Sequence, residues 1–306
     1  MRTLSFFVVL TFFASCLPIP EKSEATLSAN YISTDDILVG SLVTDSVYQF
    51  NSNGDFIRIL YRLPLVAETI GGLSWSHSTN EVLVAVDGTP DRVVAVSTIN
   101  GSTRDVALDA GLTGTIRSVT QLKDSRDILV SEGATIERFN EYGQRLTYGS
   151  IWPSSAHANS QHIVPLDNGS WVSCSSSAGV RVFPDSVTTF TATSTITTAP
   201  TGTTGSYGCA VTASGSVVVS WFGASTDYLS IYSSTLTNET HLINNNQGIL
   251  SDPRGVGVMR NGDIVVADHT RDYLLRVNST GSVVKIIGQG IMDAPYSVLV
   301  IPEFTP

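Results

Sequence analysis

The chain has 306 residues, of which 42% are hydrophobic and only 14% are charged, and its formal net charge is −10. This composition supports a sizeable core, and the length suits one large β-domain or two smaller domains. An acidic chain without a run of lysine or arginine repels phosphate backbones, so these properties exclude a typical nucleic-acid-binding protein.

The N-terminal segment has the features of an export signal. Arg2 precedes an apolar stretch at residues 4–14 that is interrupted only by Ser5 and Thr11. This stretch is shorter than the roughly 20 residues that a transmembrane helix needs, and its length is typical of a secretory signal. We therefore predict a signal peptide over residues 1–15.

The residues that follow resemble a bacterial lipobox. The motif reads Phe13-Ala14-Ser15-Cys16, although the family usually has leucine at the position of Phe13. The resemblance implies that Cys16 becomes the lipidated N-terminus. Because Leu17 rather than aspartate follows the cysteine, it also implies sorting to the outer membrane. The alternative is an ordinary signal peptide in which Cys16 has no such role.

The segment after the cysteine is polar and contains prolines. We expect residues 16–34 to form a tether between the lipid and a folded body over residues 35–306. No second apolar run approaches membrane-spanning length, so a lipid anchor is the membrane contact that we predict.

One β-rich unit recurs six times along the remaining chain. Its clearest element is a short apolar strand, and the six copies begin at Asp36, Glu81, Asp127, Ser170, Ser216 and Asp263. The intervals between copies are 43 to 47 residues. A repeat of this length indicates an array of similar supersecondary units rather than one irregular domain.

Each copy is surrounded by further strand signals. A second, alternating strand follows after a short loop, as at residues 46–50 and 92–96, and a hairpin signal such as Asn53-Gly54 comes next. A third strand leaves the hairpin, and a short strand such as residues 255–258 precedes each copy. Four strands in about 45 residues are the unit of a propeller blade, so we predict an all-β, six-bladed β-propeller with four-stranded antiparallel blades.

The ring needs a closure. Residues 295–301 match the leading strand of a repeat, and we expect this C-terminal strand to complete blade one, because a shared blade removes the open edges. A competing assignment uses residues 29–33 as the missing strand.

The sixth repeat resembles an NHL repeat. The resemblance rests on Asp252-Pro253-Arg254-Gly255-Val256-Gly257-Val258, on Asn261-Gly262-Asp263-Ile264-Val265-Val266-Ala267-Asp268 and on Leu274-Leu275-Arg276-Val277. It is specific there and weaker in repeats one, three and five. It implies a propeller that binds a ligand or partner on one face, and it implies no particular reaction.

The repeat register predicts which residues converge at one mouth of the central channel. The position before the innermost strand holds Gly71, Arg117, Gln161, Tyr207, Arg254 and Tyr296 in successive blades. Arginine, tyrosine and glutamine bind carboxylates, sugars or peptide backbones. The alternative is that these side chains only satisfy loop carbonyls and neighbouring acids.

The loops after the second strand add candidates on the same face. They contribute Asp87, Glu132, Trp221, Phe222, Asp268 and His269. Trp221 and Phe222 are adjacent at a strand end, so we expect one to be buried and one to be exposed for stacking on a sugar or a protein partner. Asp268 has the alternative role of accepting amide hydrogens within its own turn.

Cysteine and histidine offer weaker signals. Cys174 and Cys209 lie in neighbouring repeats and either form a disulfide between blades or remain two buried thiols. His157 and His162 flank the start of blade four, but the histidine spacing matches no metal motif, and we predict no metal and no cofactor.

Two functions remain open at this stage. The favoured one is a non-enzymatic, monomeric binding or scaffold propeller that is anchored at the cell envelope and engages a protein, peptide or glycan. The alternative resembles six-bladed gluconolactonase-type hydrolases or lyases, and that resemblance implies Glu, Asn and Asp around a divalent metal. The arginine, tyrosine and glutamine positions depart from that pattern.

Overall fold

The structure is a computed structural model. It describes residues 31–304 apart from 65–66, 107–111, 113, 150–153, 156, 197–198, 225, 238 and 245–247. The predicted signal peptide, Cys16 and most of the predicted tether lie outside the described residues. No helix in the described part of the chain is long and apolar enough to cross a membrane.

The described residues form 23 strands in six antiparallel sheets arranged as consecutive blades. Blade one contains β1 (Ile37–Ser41), β2 (Ser46–Phe50) and β3 (Phe56–Arg62), and blade two contains β4 (Thr69–Ser76), β5 (Glu81–Asp87), β6 (Arg92–Ser97) and β7 (Thr103–Val106). Blade three contains β8 (Ile116–Gln121), β9 (Ile128–Glu132) and β10 (Thr135–Phe139), and blade four contains β11 (Ser160–Pro165), β12 (Trp171–Ser175), β13 (Gly179–Phe183) and β14 (Ser194–Ile196). Blade five contains β15 (Gly205–Val211), β16 (Val217–Phe222), β17 (Tyr228–Tyr232) and β18 (Thr240–Asn244), and blade six contains β19 (Pro253–Val258), β20 (Ile264–Asp268), β21 (Tyr273–Val277) and β22 (Val283–Ile287). The last strand, β23 (Pro295–Val300), joins blade one.

The C-terminal strand closes the ring, which confirms the expected closure. β23 pairs antiparallel with β1, with Val298 opposite Val39, and the Ile301 amide donates a hydrogen bond to the Asp36 carbonyl at 2.9 Å. Ile32, from the competing segment, instead donates its amide to the Thr98 carbonyl in blade two at 3.0 Å and is fully buried. The packed body therefore includes residues that precede the expected start at 35.

Five sheets have four strands, and the third differs in its outer position. There the described residues form the isolated bridges Ile136–Ser154 and Phe139–Arg145 in place of a fourth strand. The inner and middle strands of the blades are largely buried, whereas outer strands such as β7 and β22 are mostly exposed. This gradient follows from stacking blades face to face around an axis, since only the outer rim of each sheet meets solvent.

The core consists of apolar clusters between neighbouring blades. One of these clusters joins blades four and five and contains Cys174 on β12 and Cys209 on β15. Both cysteines are free, fully buried thiols, and Cys209 Sγ donates a hydrogen bond to the His162 carbonyl oxygen at 3.7 Å. The structure therefore matches the alternative of two buried thiols. The two cysteines lie on neighbouring blades, in the same cluster.

Candidate functional site

The innermost strand of each blade, which is β23 in blade one, lines the central channel, and a β-bulge interrupts the pairing of this strand near its beginning in every blade. The pairing register shifts between Ile116 and Ser118, between Ser160 and His162, and likewise in the other four inner strands. The residues left without a ladder partner include those that the repeat register singled out: Gly71, Arg117, Gln161, Tyr207, Arg254 and Tyr296. Because a bulge re-aims a side chain, it gives these positions a shared orientation.

Five of these side chains, from Arg117, Gln161, Tyr207, Arg254 and Tyr296, form a group that we call the upper ring. It lies at the upper end of the channel, where the inner strands begin. Gln161 and Tyr296 are buried, and the other three are half-buried. The structure therefore brings together five of the eight ligand-binding candidates.

A stack of aromatic rings under a guanidinium group forms one side of the upper ring. The Arg254 guanidinium carbon lies 3.5 Å from the centroid of the Tyr207 ring, a cation–π contact. The Tyr207 ring lies 4.3 Å from the Phe222 ring, centroid to centroid. Asp252 accepts a hydrogen bond from Arg254 at 2.7 Å, which fixes the guanidinium group from its other side.

A hydrogen-bonded group forms the other side. The Tyr296 hydroxyl donates to Gln161 Oε1 at 2.8 Å, and an Arg117 guanidinium nitrogen donates to the same oxygen at 3.5 Å. Burial raises the pKa of Tyr296, although the charges of Arg117 and Arg254 oppose the rise. The buried Nε of Arg117 has no hydrogen-bond partner among the described residues, and the Arg117 charge interacts with the Asp87 carboxylate. Arg117 thus retains donor capacity.

Glycines let neighbouring inner strands approach each other closely just below the upper ring. A Cβ atom on Gly255 would lie 2.5 Å from the backbone nitrogen of Val298, and one on Gly72 would lie 2.8 Å from the carbonyl oxygen of Arg117. Only glycine permits these inner strands to approach so closely. We call this constriction, formed by Gly71, Gly72, Gly208 and Gly255, the glycine neck. The space left between it and the upper ring is about 10 Å³, too small for a ligand.

The remaining three candidates lie around the upper ring rather than in it. Trp221 is fully buried in the core between blades four and five, and Phe222 is the member of the pair that joins the upper ring. Glu132 is buried, and its Oε1 accepts the Gly114 amide at 2.6 Å. His269 is half-buried with its ring centroid 6.5 Å from that of Tyr296.

Asp268 stabilises its own turn. Its carboxylate accepts the amides of Ser251 and Arg271, each at 3.1 Å, and pairs with the Arg271 guanidinium group at 3.3 Å. Burial raises the pKa of Asp268 to about 6 despite this arginine. The carboxylate is therefore occupied by backbone donors, as the structural alternative proposed.

The two histidines of blade four have separate environments. His157 is fully buried, and its Nε2 lies 3.2 Å from the Ser173 carbonyl oxygen, to which it donates. Burial and the nearby charge of Arg181 lower the pKa of His157 to about 4. His162 accepts the Cys209 amide at Nδ1. Among the described residues, no three His, Cys, Asp or Glu side chains are grouped to hold a metal ion.

Sequence reasoning missed three parts of this region. It did not identify Asp252 as the partner of Arg254, the glycine neck, or the wide space at the opposite end of the channel. The Asp252-Pro253-Arg254 motif could have indicated the first, because residues two apart that bracket a strand start can meet across a bulge. The glycine neck and the wide space depend on the distances between six inner strands, and the pattern within one repeat does not determine these distances.

No protein-family model matches this sequence, and no curated protein matches it. Solved structures do match. A chain from the nidogen/laminin complex has a TM-score of 0.69 at 12% identity and covers 86% of this chain and 97% of that chain. A gluconolactonase from Xanthomonas campestris has a TM-score of 0.57 at 13% identity, covering 84% and 89%. A streptogramin B lyase has a TM-score of 0.54 at 15% identity, covering 78% and 74%. Identities this low establish the shared propeller fold alone.

Proposed function

We propose that this protein is a non-enzymatic binding propeller that engages a protein, peptide or glycan through its upper face. One observation carries the proposal. The upper face presents a preassembled cluster of Tyr207, Phe222 and Arg254 above a space of only about 10 Å³.

The shape of this face favours a large partner. A small-molecule site is usually a cleft of about 300–1,000 Å³ that encloses its ligand. The upper ring offers contact area without such a cleft, which suits a flat macromolecular surface. Tyrosine and arginine dominate the residues that contribute most to binding at protein interfaces, and aromatic faces also stack on sugar rings.

The chemistry of the upper ring favours a partner with acceptor groups. Arg117 keeps donor capacity, because its hydrogen bond to Gln161 is long at 3.5 Å and its Nε has no partner among the described atoms. A carboxylate, a peptide carbonyl or a sugar hydroxyl can accept from such a guanidinium group. Holding Arg254 between Tyr207 and Asp252 reduces the side-chain entropy that binding would otherwise cost.

The sequence supports a cellular location for this protein. The lipobox-like residues 13–16 and the polar segment after them support a lipid-anchored protein at the bacterial envelope, with the outer membrane as the destination. The NHL-like residues of repeat six support a propeller that acts through partner binding. An anchored propeller of this kind would present its upper face to envelope proteins or glycans.

A lactonase or lyase is the competing function, and two of the similar structures are a gluconolactonase and a streptogramin B lyase. The charge of the upper ring disfavours this function here. Arg117 and Arg254 place two guanidinium groups at the channel mouth, where a divalent cation would experience repulsion. Two of the carboxylates on this face, Asp252 and Asp268, are already paired with arginines.

The test compares the wild-type protein with a Tyr207→Ala/Arg254→Ala double variant. Both proteins, without the leader, are applied to peptide and glycan arrays and to solubilised envelope proteins. We expect the retained ligand to lose at least tenfold in affinity, because hot-spot residues typically contribute 2 kcal/mol or more.

Arg104→Ala is the matched control, since Arg104 is an exposed, ion-paired arginine on the rim of blade two. It should bind like the wild type. Equal binding by the double variant and the wild type would show that the upper ring is not the contact surface. Turnover of a lactone substrate by the wild type would support the competing function.

A further inference from the structure

The central channel opens again below the glycine neck. There the inner strands end, and they diverge around a cavity of about 280 Å³ that is open to solvent on its lower side. All six inner strands contribute to its wall, with Trp75, Thr120, Val164, Val211, Val258 and Val300. We call this space the lower cavity. It lies at the opposite end of the channel from the upper ring.

The wall of the lower cavity is mainly aliphatic. Val164, Val211, Val258 and Val300 are only partly buried, so the cavity keeps apolar surface in contact with water. Removing such surface from water is favourable at about 25 cal/mol per Å². An apolar cavity of about 150 Å³ already accommodates benzene in another protein, so this one has room for a ring with a substituent.

The deep end of the lower cavity carries a hydrogen-bond donor. His162 borders both this cavity and the small space above the glycine neck. Its Nδ1 accepts the Cys209 amide at 3.2 Å, so a neutral ring must carry its proton on Nε2. The backbone of blade five thereby fixes the His162 tautomer, and Nε2 can donate to an oxygen acceptor.

The mouth of the lower cavity is polar. Lys123 and Asp167 form an ion pair there, and His77 is exposed beside them. The cavity therefore has an apolar wall between a donor at depth and charged groups at the opening. A few placed polar groups in a mainly apolar wall are typical of sites for small organic molecules.

We propose that the lower cavity is a second binding site, specific for a small one-ring organic molecule that carries a single oxygen acceptor. The ring lies against the valine wall, and the oxygen accepts the hydrogen bond from His162 Nε2. This site is independent of the function proposed for the upper face, because the two are formed by opposite ends of the inner strands.

Benzyl alcohol and toluene are the probes, since they share an aromatic body and differ in the oxygen. Binding is measured by isothermal titration calorimetry and by ligand-observed NMR. We expect saturable binding of benzyl alcohol with a dissociation constant on the order of 1 mM or below. Toluene should bind about fivefold more weakly, because it cannot accept the hydrogen bond.

Two kinds of variant locate the site. Val258→Phe and Val211→Phe each fill part of the lower cavity and should weaken both probes at least tenfold. In His162→Asn the amide oxygen can still accept the Cys209 amide, but the Nε2 donor is gone. This variant should weaken benzyl alcohol about fivefold and leave toluene unchanged.

Arg104→Ala serves as the control and should bind both probes like the wild type. Thermal unfolding of each variant verifies that it is folded, and the two cavity-filling variants support each other if one is unstable. The proposal is overturned if wild-type protein shows no saturable binding of benzyl alcohol. It is also overturned if folded Val258→Phe and Val211→Phe bind the probes as tightly as the wild type.

Discussion

The guanidinium carbon of Arg254 lies 3.5 Å from the centre of the Tyr207 ring, and these two residues come from the inner strands of neighbouring blades. The contact therefore joins blades six and five across the channel mouth. Each residue occupies the bulge of its strand, so the bulges set the geometry of the pair.

Tyr207→Leu should weaken this contact between blades. Leucine keeps apolar packing against Phe222 but has no aromatic face for Arg254, so we expect the free energy of unfolding to fall by about 1 kcal/mol. Denaturant titration measures the change. Tyr142→Leu is the control, since Tyr142 is 78% exposed, and it should leave stability unaltered. Equal stability of Tyr207→Leu and the wild type would show that the stack contributes nothing.

Val298→Ala should destabilise the closure of the ring. Val298 is 2% exposed on β23 and faces Val39 of β1 in the pairing register. Loss of its methyl groups leaves a cavity between the two ends of the chain, so we expect a cost of about 2 kcal/mol in denaturant titration. Val43→Ala, at a residue that is 64% exposed, should cost almost nothing. A similar small effect for both substitutions would contradict a stabilising closure.

His157 should make the protein sensitive to mild acid. Its folded-state pKa of about 4 lies below the ordinary value of 6.5, mainly because of burial. The stability that the neutral ring provides is therefore complete above pH 6.5 and is lost as pH falls towards 4. The difference between the two pKa values of His157 corresponds to about 3 kcal/mol in the free energy of unfolding. Asp268, with its raised pKa, acts in the opposite direction, since its contribution is lost as pH rises through about 6.

His157→Gln isolates the histidine effect, because glutamine can still donate to the Ser173 carbonyl and Asp268 is present in both proteins. Unfolding free energies at pH 7 and pH 4.5 give the measurement. The decrease in the free energy of unfolding from pH 7 to pH 4.5 should be about 2 kcal/mol smaller in the variant than in the wild type. Val43→Ala, at an exposed residue without an ionisable group, should retain the wild-type loss. An identical pH dependence for His157→Gln would rule out this assignment.

The Cys174–Cys209 pair should form a disulfide when an oxidant reaches it. The two thiols lie in the same buried cluster between blades four and five. Burial raises the pKa of Cys174; in Cys209 the same effect is outweighed, chiefly by the interaction with Cys174, and its pKa is lowered. Cys209 is thus the better nucleophile. Diamide accepts the two electrons and two protons, leaving a disulfide between the cysteines and a hydrazine product.

Peptide mapping by mass spectrometry after partial unfolding in diamide and refolding would detect this disulfide. The oxidised protein should unfold at a higher denaturant concentration, because the crosslink joins blades four and five. Cys174→Ser should show neither change. Two alkylatable thiols in diamide-treated wild-type protein would refute the pairing.

Cys16→Ser should abolish lipidation. If the lipobox-like motif is functional, wild-type protein expressed in a Gram-negative host will incorporate an alkynyl fatty acid and sediment with the membrane. The variant should lose the label and become soluble in the periplasm. Unlabelled wild-type protein would instead indicate the ordinary signal peptide.

Much of the architecture was predictable because blade stacking imposes a pattern on every repeat. The six apolar strands predicted the number of blades. The match between the C-terminal residues and the sixth repeat predicted the closing strand. The same register located Arg117, Gln161 and Tyr296 on one end of the channel, because equivalent positions in a ring converge.

The contacts within the site were less predictable. Alternation showed that Trp221 and Phe222 differ in environment, but the burial of Trp221 depends on the packing between blades four and five. The lower cavity depends on small divergences of six strands over several residues. Such distances are set by packing across blades and leave no signature within one repeat.

The glycine neck makes the inner strands of neighbouring blades pack backbone to backbone. A Cβ atom on Gly255 would lie 2.5 Å from the Val298 nitrogen, and one on Gly208 would lie 2.4 Å from the Arg254 carbonyl oxygen. At this level the strands leave no room for a side chain between them. The spacing of these blades around the axis is therefore set by main-chain contact rather than by side-chain packing.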